Sequence, residues 1–508
     1  MRNKIVVALI GKAGSVGVDI FERLLIIPIF IAALGADVYA DWALLYAFAM
    51  LFGVLDLGVV QYFSNLILQS SRHGSAVSLE HVAARAKAVY SLVLAFNLIV
   101  IFVISWLGVY QLINITALSE SLANFLFVLL AIAVVLNIPR GLLLDKYRLA
   151  GDYEKVVISV TALKASRLVC LLVSVYIYNS VLLAALSYSV VTFFLGILGI
   201  VAVQRFYRYP RLIQQGALFS GPLFSIEDAR KSFSYFVRQC GRLGGQQMPL
   251  IVLGAVGIGS LGLVQFIAVR ALTGVVRQLV TQLSDAVGLD VSDKWYSGNS
   301  SNVAGAIAFS VILLACFSGG VFIILGLYIS EILPVWLSSD IKVDYVLFLL
   351  LAASVVISVP SLPCLSVLHF TNHAEELAKI FVIKLLVLFL SLPVLSYLFL
   401  SRGAGFSVLL SEGIFGSVLI VRATARVASI NVAKLFFSAG VSFCLGVLCI
   451  VLVNTFVRHL PSGAGEGHIE RFVWLGAKLS TLMFALCLLI YAMYKKRQLI
   501  DMTVAGRI

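Results

Sequence analysis

The sequence predicts an all-α integral membrane protein of about fourteen transmembrane helices, and three observations predict it. Of 508 residues, 61% are hydrophobic and only 12% charged, about half the ~25% of a soluble domain. The apolar residues come in runs of about 20 or more, enough to cross a ~30 Å hydrocarbon core at ~1.5 Å per residue. The basic residues gather in alternate connecting segments, as the positive-inside rule requires. A net charge of +13 would suggest nucleic acid in a soluble chain. Here it reports topology, and no nucleic-acid partner is expected. Seven cysteines without a CxxC spacing read as small apolar packing residues.

The first two spans, 12–34 and 41–68, are joined by a short polar hinge, Gly35–Ala40. The apolar run after Met1 continues at membrane length without a small-residue cleavage site, so it reads as a retained helix. Further spans follow at 89–110, 121–143, 156–178, 181–203, 232–256, 262–288, 303–328, 344–368, 379–400, 407–428, 435–457 and 472–494. An even number of spans puts both termini on one side. Most of the 37 basic residues fall on that side, among them Arg72, Arg85, Lys87, Lys146, Arg148, Arg205, Arg208, Arg211 and Lys495. The opposite loops hold only Lys342, Arg402, Arg458 and Arg471. The termini are therefore expected in the cytoplasm.

The longest connection, 204–231, is basic and divides the chain. An N-lobe is expected over 1–203 and a C-lobe over 232–428, with a terminal helix pair and tail over 429–508. A weak internal repeat supports this division. Pro28 and Leu34-Gly35-Ala36 precede the second span much as Pro249 and Leu253-Gly254-Ala255 precede the eighth. Short external loops argue against a membrane polymerase or ligase, which needs a large ordered segment for its donor. No HExxH, P-loop or GxSxG motif is present. His369 and His373 are four apart beside Glu375 and Glu376, but they fall in a short turn and read as a solvated helix cap, so no metal is expected.

The informative residues are the charges inside the spans, each costing ~2.5–3.5 kcal/mol on insertion scales unless it faces water or a partner. Arg270 and Arg277 lie two turns apart on one helix face, with no acid at i±3 or i±4 of either. Lys164 and Arg167 share a face of the fifth span. Arg23 lies on the first, with Glu22 adjacent and Asp19 one turn earlier. These five cations either line a wet lumen that receives an anion or are satisfied by pairing within helices. Lys12, Lys384 and Lys478 are near enough to a membrane edge to snorkel. Asp19, Glu22 and Asp56 carry a second idea, coupling to H⁺ or Na⁺, with no other cofactor expected. Gln61, Tyr62, Asn65, Gln246, Gln247, Gln265 and Gln278 are the candidates to hydrogen-bond hydroxyl-rich ligands. Gly11, Gly14 and Gly17 permit close helix approach.

The hairpin "IPIFIAALGADVYADWALLYAF" followed by "LDLGVVQYF" resembles the opening of the polysaccharide transporter family. These are the Wzx-type O-antigen and exopolysaccharide flippases of the multidrug/oligosaccharidyl-lipid/polysaccharide exporter superfamily. The matching residues are Pro28, Leu34-Gly35, Trp42 and Leu55-Asp56-Leu57-Gly58, and "LGLVQFIAVRALTGVVRQL" is similar to the second-lobe helix that carries an arginine, here Arg270. The resemblance implies two six-helix lobes around a cavity that opens alternately to either side. It implies a cationic lumen for undecaprenyl-pyrophosphate-linked oligosaccharide, Arg23 and Arg270 matching lumen arginines of lipid II flippase relatives. A monomer among membrane lipids is implied, with polysaccharide polymerase and export components as partners. A cation-coupled multidrug exporter is the alternative within the superfamily. The Asp19/Glu22 cluster and the extra helix pair depart from the pattern.

Overall fold

The computed structural model describes residues 2–73, 76–108, 113–207, 224–296, 300–337, 343–370, 373–428, 430–458 and 468–505. Those residues are helical almost throughout, with no strand among them. They fall into two compact units, Met1–Val264 and Gln265–Ile508. Arg208, Arg211 and Lys342, part of the charge argument, lie outside the described residues, as do Thr371 and Asn372 of the histidine turn.

The first unit opens with α1 (Arg2–Leu34), α2 (Ala36–Met50) and a 3₁₀ turn, Leu51–Val54, then α3 (Val59–His73). The expected six-residue hinge is shorter in fact. Gly35 alone, at φ +88°, breaks the chain, and α2 begins at the next residue. The expected single span 41–68 is broken at Leu55–Gly58, where Leu57 and Gly58 both have positive φ. Asp56 stabilises that break by accepting the Gly58 N–H through Oδ1 at 2.9 Å. Asn97 donates to the Leu55 carbonyl at 2.9 Å, giving the interrupted ladder a replacement partner. There follow α4 (Ala76–Leu107), α5 (Glu120–Val135), α6 (Asn137–Leu149), α7 (Tyr153–Tyr176) and α8 (Val181–Phe193). A π-helical turn, Phe194–Gly199, leads to α9 (Ile200–Phe206), and α10 (Ile226–Val256) closes the unit.

Two close approaches fix this unit. Glycine lets α1 meet α7: a Cβ on Gly11 would lie 3.0 Å from Val157 Cγ1, and Thr161 Oγ1 donates to the Gly11 carbonyl at 3.1 Å. At Gly58 a Cβ would collide with the Ser232 carbonyl and lie 2.6 Å from Phe236 N, so the Leu-Asp-Leu-Gly break seats α10 backbone to backbone. The span 232–256, which the repeat assigns to a second lobe, thus packs on α2, the 3₁₀ turn and α3 within the first unit. Its first turn, the end of the basic linker, is a capping box between Ser225 and Asp228.

The second unit begins within α11 (Ser260–Tyr296) and continues as α12 (Ser300–Leu337), α13 (Tyr345–Ser358), α14 (Ser361–Phe370) and α15 (Ala374–Val408). A π-helical stretch, Leu409–Gly416, joins α15 to α16 (Ser417–Ala428), with α17 (Val432–Arg458) and α18 (His468–Ala505) after it. Within α15 the chain reverses at Leu400, whose φ of 52° and ψ of −130° are not helical. Ser411 Oγ reaches the Lys384 carbonyl at 2.8 Å, although 27 residues of straight helix would separate them by ~40 Å. The terminal pair packs on α12: a Cβ on Gly446 would collide with the Cys316 carbonyl, and one on Gly320 would lie 2.5 Å from Leu486 Cδ1.

Ten described helices are long and apolar enough to cross a membrane, or eleven with the bent pair Tyr345–Ser358 and Ser361–His369 taken as one. Adding the charged helices α1 and α10 and the reversal inside Glu375–Ala428 gives the fourteen spans expected. Large apolar side chains such as Phe102, Trp106, Leu390 and Phe437 stand exposed, the surface of a chain whose solvent is lipid.

Candidate functional site

Each unit gathers charges from different helices into one cluster. In the first, α1 brings Asp19, Glu22 and Arg23 against Lys164 and Arg167 of α7. Lys164 Nζ donates to both Asp19 carboxylate oxygens, at 2.7 and 2.8 Å, and to Ser15 Oγ at 3.1 Å. The one-turn geometry made Arg23 an obvious partner for Asp19, but Lys164 binds both oxygens of that carboxylate. Glu22 lies within electrostatic reach of Asp19, Lys164, Arg167 and Arg23. Arg167 donates from Nε to Thr192 Oγ1 at 2.8 Å and stands 4.8 Å over the Tyr188 ring. Tyr188 in turn meets Tyr46 hydroxyl to hydroxyl at 3.4 Å.

In the second unit Arg277 forms an ion pair with Glu412, which the π-helical stretch Leu409–Gly416 projects towards α11. No acid lies within one turn of Arg277 along its own helix, and the partner comes from 135 residues away. Lys384 and Arg270 act electrostatically on the same carboxylate. Lys384 is therefore in this cluster rather than at a membrane edge, its stem beside Gly416 and its ammonium 5.0 Å over Phe381. Arg270 stands 5.8 Å over Phe266. All three cations thus act on Glu412.

Asp56, the third coupling candidate, is nearly buried and holds the Gly58 turn, with the Arg242 charge acting on it. Two of the hydroxyl-binding candidates serve the α3–α10 junction. Tyr62 donates to Asp228 Oδ1, and Asn65 donates to the Tyr235 hydroxyl at 3.0 Å while accepting from Gln61 at 3.1 Å. His373 N–H returns to the Leu368 carbonyl at 3.0 Å, a helix-end contact, and no metal-holding group of three or more His, Cys, Asp or Glu occurs among the described residues.

Three features escaped the sequence reading. Asp228 joins three helices: it accepts from Tyr62, from Arg85 Nη2 and from the Ser225 N–H at 2.8 Å. Burial pushes its pKa up, but the Tyr62 and Ser225 hydrogen bonds and the Arg85 charge outweigh that and hold it below the ordinary carboxylate value. Asp41, fully buried, accepts the backbone N–H groups of Thr116, Ala117 and Leu118 at 2.7–3.2 Å. Arg140, which lies inside the expected span 121–143, is half-buried there, donating to Asn137 Oδ1 at 2.9 Å. Only the Ser-x-x-Asp spacing at Ser225 and Asp228 was a local signal.

The fold has known counterparts. It is similar to a lipid II flippase MurJ in an inward closed conformation, with a TM-score of 0.68 at 11% identity over 97% of this chain and 100% of that one. An inward-facing multidrug resistance MATE family transporter of the MOP superfamily matches at a TM-score of 0.65 and 12% identity, over 81% of this chain and 95% of that one. A MOP superfamily transporter from Pyrococcus furiosus, described as having a binding pocket of reverse polarity, matches at a TM-score of 0.53 and 13% identity, over 84% and 94%. The fold is that of these transporters. No protein-family profile matches the sequence, and no curated protein matches it.

Proposed function

We propose that this chain is an alternating-access transporter that flips undecaprenyl-pyrophosphate-linked oligosaccharide repeat units from the cytoplasmic to the periplasmic leaflet. It would serve O-antigen or exopolysaccharide synthesis in a bacterial inner membrane, with both termini cytoplasmic. The observation that carries this reading is the end-to-end likeness to a lipid flippase. The inward-facing multidrug resistance transporter matches over a smaller share, 81% of the chain.

The charge clusters support the same choice. Lys164, Arg167 and Arg23 outnumber Asp19 and Glu22, and Arg277 and Lys384 outnumber Glu412. A diphosphate of about two negative charges fits such an excess, and fixed guanidinium groups replace the hydration that lipid cannot supply. The internal pairs Lys164–Asp19 and Arg277–Glu412 hold the cations while substrate is absent. A head group that competes with the carboxylate of either pair has differential affinity for the two states and shifts the population between them. A cation-coupled multidrug exporter is the second reading, favoured by Asp19 and Glu22 lying together on α1.

The test follows lipid-linked oligosaccharide in cells depleted of the protein, with sidedness read by glycosidase access in sealed vesicles. Complete units should accumulate on the cytoplasmic face, cured by the wild type and not by a stably expressed Arg277→Gln. Units that reach the periplasmic face without the protein would reject the reading.

A further inference from the structure

Three arginines of the first unit each keep a buried N–H that nothing accepts, Arg85 at Nε, Arg140 at Nε and Arg167 at Nη2, and of these Arg85 is already paired with Asp228. The neighbouring basic groups are paired with acids: Arg148 with Asp145 at 2.9 Å and Lys164 with Asp19 at 2.7 Å. Arg140 and Arg167 instead donate to neutral oxygens, those of Asn137 and Thr192, and no carboxylate among the described residues makes an ion pair with either. The two guanidinium groups are close enough for their charges to oppose one another. An unmet buried donor is unfavourable, more so when charged, and the mutual repulsion adds to it. Such an arrangement calls for an acceptor that carries negative charge.

The surroundings leave room for one. Arg140 lines a pocket of about 220 Å³ between α3 and α6, together with Val60, Gln61, Ser64, Asn137 and Arg148. That is room for a phosphate or diphosphate group. The π-helical turn Phe194–Gly199 shapes the back of the site. A Cβ on its Gly196 would lie 3.2 Å from Leu163 Cδ2, so glycine there makes room for Leu163, with the Arg140 stem in ordinary contact at 3.8 Å. Helical irregularities of this kind recur at functional sites. Arg148 is neutralised by Asp145, and Ser64 Oγ donates to that same carboxylate at 2.7 Å, so the uncompensated charge facing the pocket belongs to Arg140.

We propose that Arg140 and Arg167 together bind a phosphoryl group, Arg140 from the pocket wall and Arg167 as the second cation behind it, with Asn137 and Gln61 as a neutral rim. This rests on the reading of the protein as a transporter of diphosphate-linked lipid, and it assigns the first unit's hold on the head group. Forked donors suit the task, since a guanidinium presents two parallel N–H groups to two phosphate oxygens.

The test measures binding of inorganic pyrophosphate, and separately of farnesyl diphosphate, to the full-length protein in detergent. Arg140→Gln and Arg167→Gln should each weaken binding at least tenfold, whereas Arg402→Gln, an arginine paired with Asp344 at 2.8 Å elsewhere in the chain, should bind like the wild type. Folding of each variant is checked by its melting temperature without ligand. If Arg140→Gln does not fold, Arg140→Lys and Arg167→Gln decide, and unchanged affinity in both overturns the site. Arginine-dependent binding of pyrophosphate alone supports recognition of the bare phosphate, and dependence seen only with farnesyl diphosphate supports recognition at a lipid head group. Arg140-dependent binding in a protein whose depletion leaves glycan sidedness unchanged keeps the site and discards the flippase. Arg140-independent binding in a protein that does flip overturns the site alone.

Discussion

Replacing Gly58 by alanine isolates what the Leu55-Asp56-Leu57-Gly58 break does. Gly58 has φ +72°, and an added Cβ would meet the Ser232 carbonyl, Phe236 N at 2.6 Å and Tyr235 Cβ at 3.0 Å. Two costs follow. Alanine in left-handed backbone costs ~1 kcal/mol or somewhat more. Forcing α10 backbone outwards adds ~1–3 kcal/mol, because backbone atoms of a packed helix cannot rotate aside as a side chain can. The total, about 3 kcal/mol, shifts the balance between seated and lifted α10 roughly a hundredfold. Gly35→Ala is the control: φ there is +88°, but nothing lies within 4 Å of its Cβ, so only the backbone cost applies. The assay is thermal unfolding of the full-length protein in detergent, with maleimide labelling of Cys240 on α10. Gly58→Ala should melt several degrees below Gly35→Ala and label Cys240 faster. Equal stability of the two variants would refute the backbone-to-backbone seating of α10.

Other consequences are as direct. Asp228→Asn should destabilise the junction of α3, α4 and α10 at neutral pH. The sign follows from the lowered pKa: the stabilisation is complete above the ordinary carboxylate value of 3.8 and is lost as pH falls through the depressed folded value. The melting difference between wild type and Asp228→Asn should therefore be constant near neutrality and close below about pH 4. For the half-exposed pair of Lys164 and Asp19, a double-mutant cycle of Lys164→Met and Asp19→Asn should show coupling of about 1 kcal/mol, and additive losses would deny the pair. Asp41→Ala removes a charged acceptor worth ~1.5–3 kcal/mol, so amide exchange at Thr116, Ala117 and Leu118 should accelerate tenfold or more.

The span count was legible because ~20 apolar residues and alternating loop charge are local signals, and they sufficed even for α15, where two expected spans meet at Leu400. The breaks were less legible. Leu-Asp-Leu-Gly at 55–58 is apolar enough to continue a helix, and its interruption is held by the Asp56 and Asn97 hydrogen bonds and by the arrival of α10 against Gly58, none of which the spacing records. The basic residues of the clusters were visible as charges in apolar sequence, but their partners were not. Inspection one turn either side of Arg277 cannot reach Glu412, and proximity to a membrane edge misplaced Lys384, which the reversal of the chain carries back to the π-helical stretch. Arg140 lies three residues from the end of the expected span 121–143, where a cation resembles a topology charge whatever it faces. Three-dimensional neighbours decide such cases, and sequence spacing carries no record of them.

The central claim is tested most directly by reconstituting the purified protein into vesicles with a fluorescent prenyl-diphosphate-linked oligosaccharide and following its arrival at the opposite leaflet. The account predicts movement well above that in protein-free vesicles and at least tenfold slower with Arg277→Gln. A rate equal to that of protein-free vesicles, or transport of a cationic drug with none of the lipid-linked glycan, would contradict it.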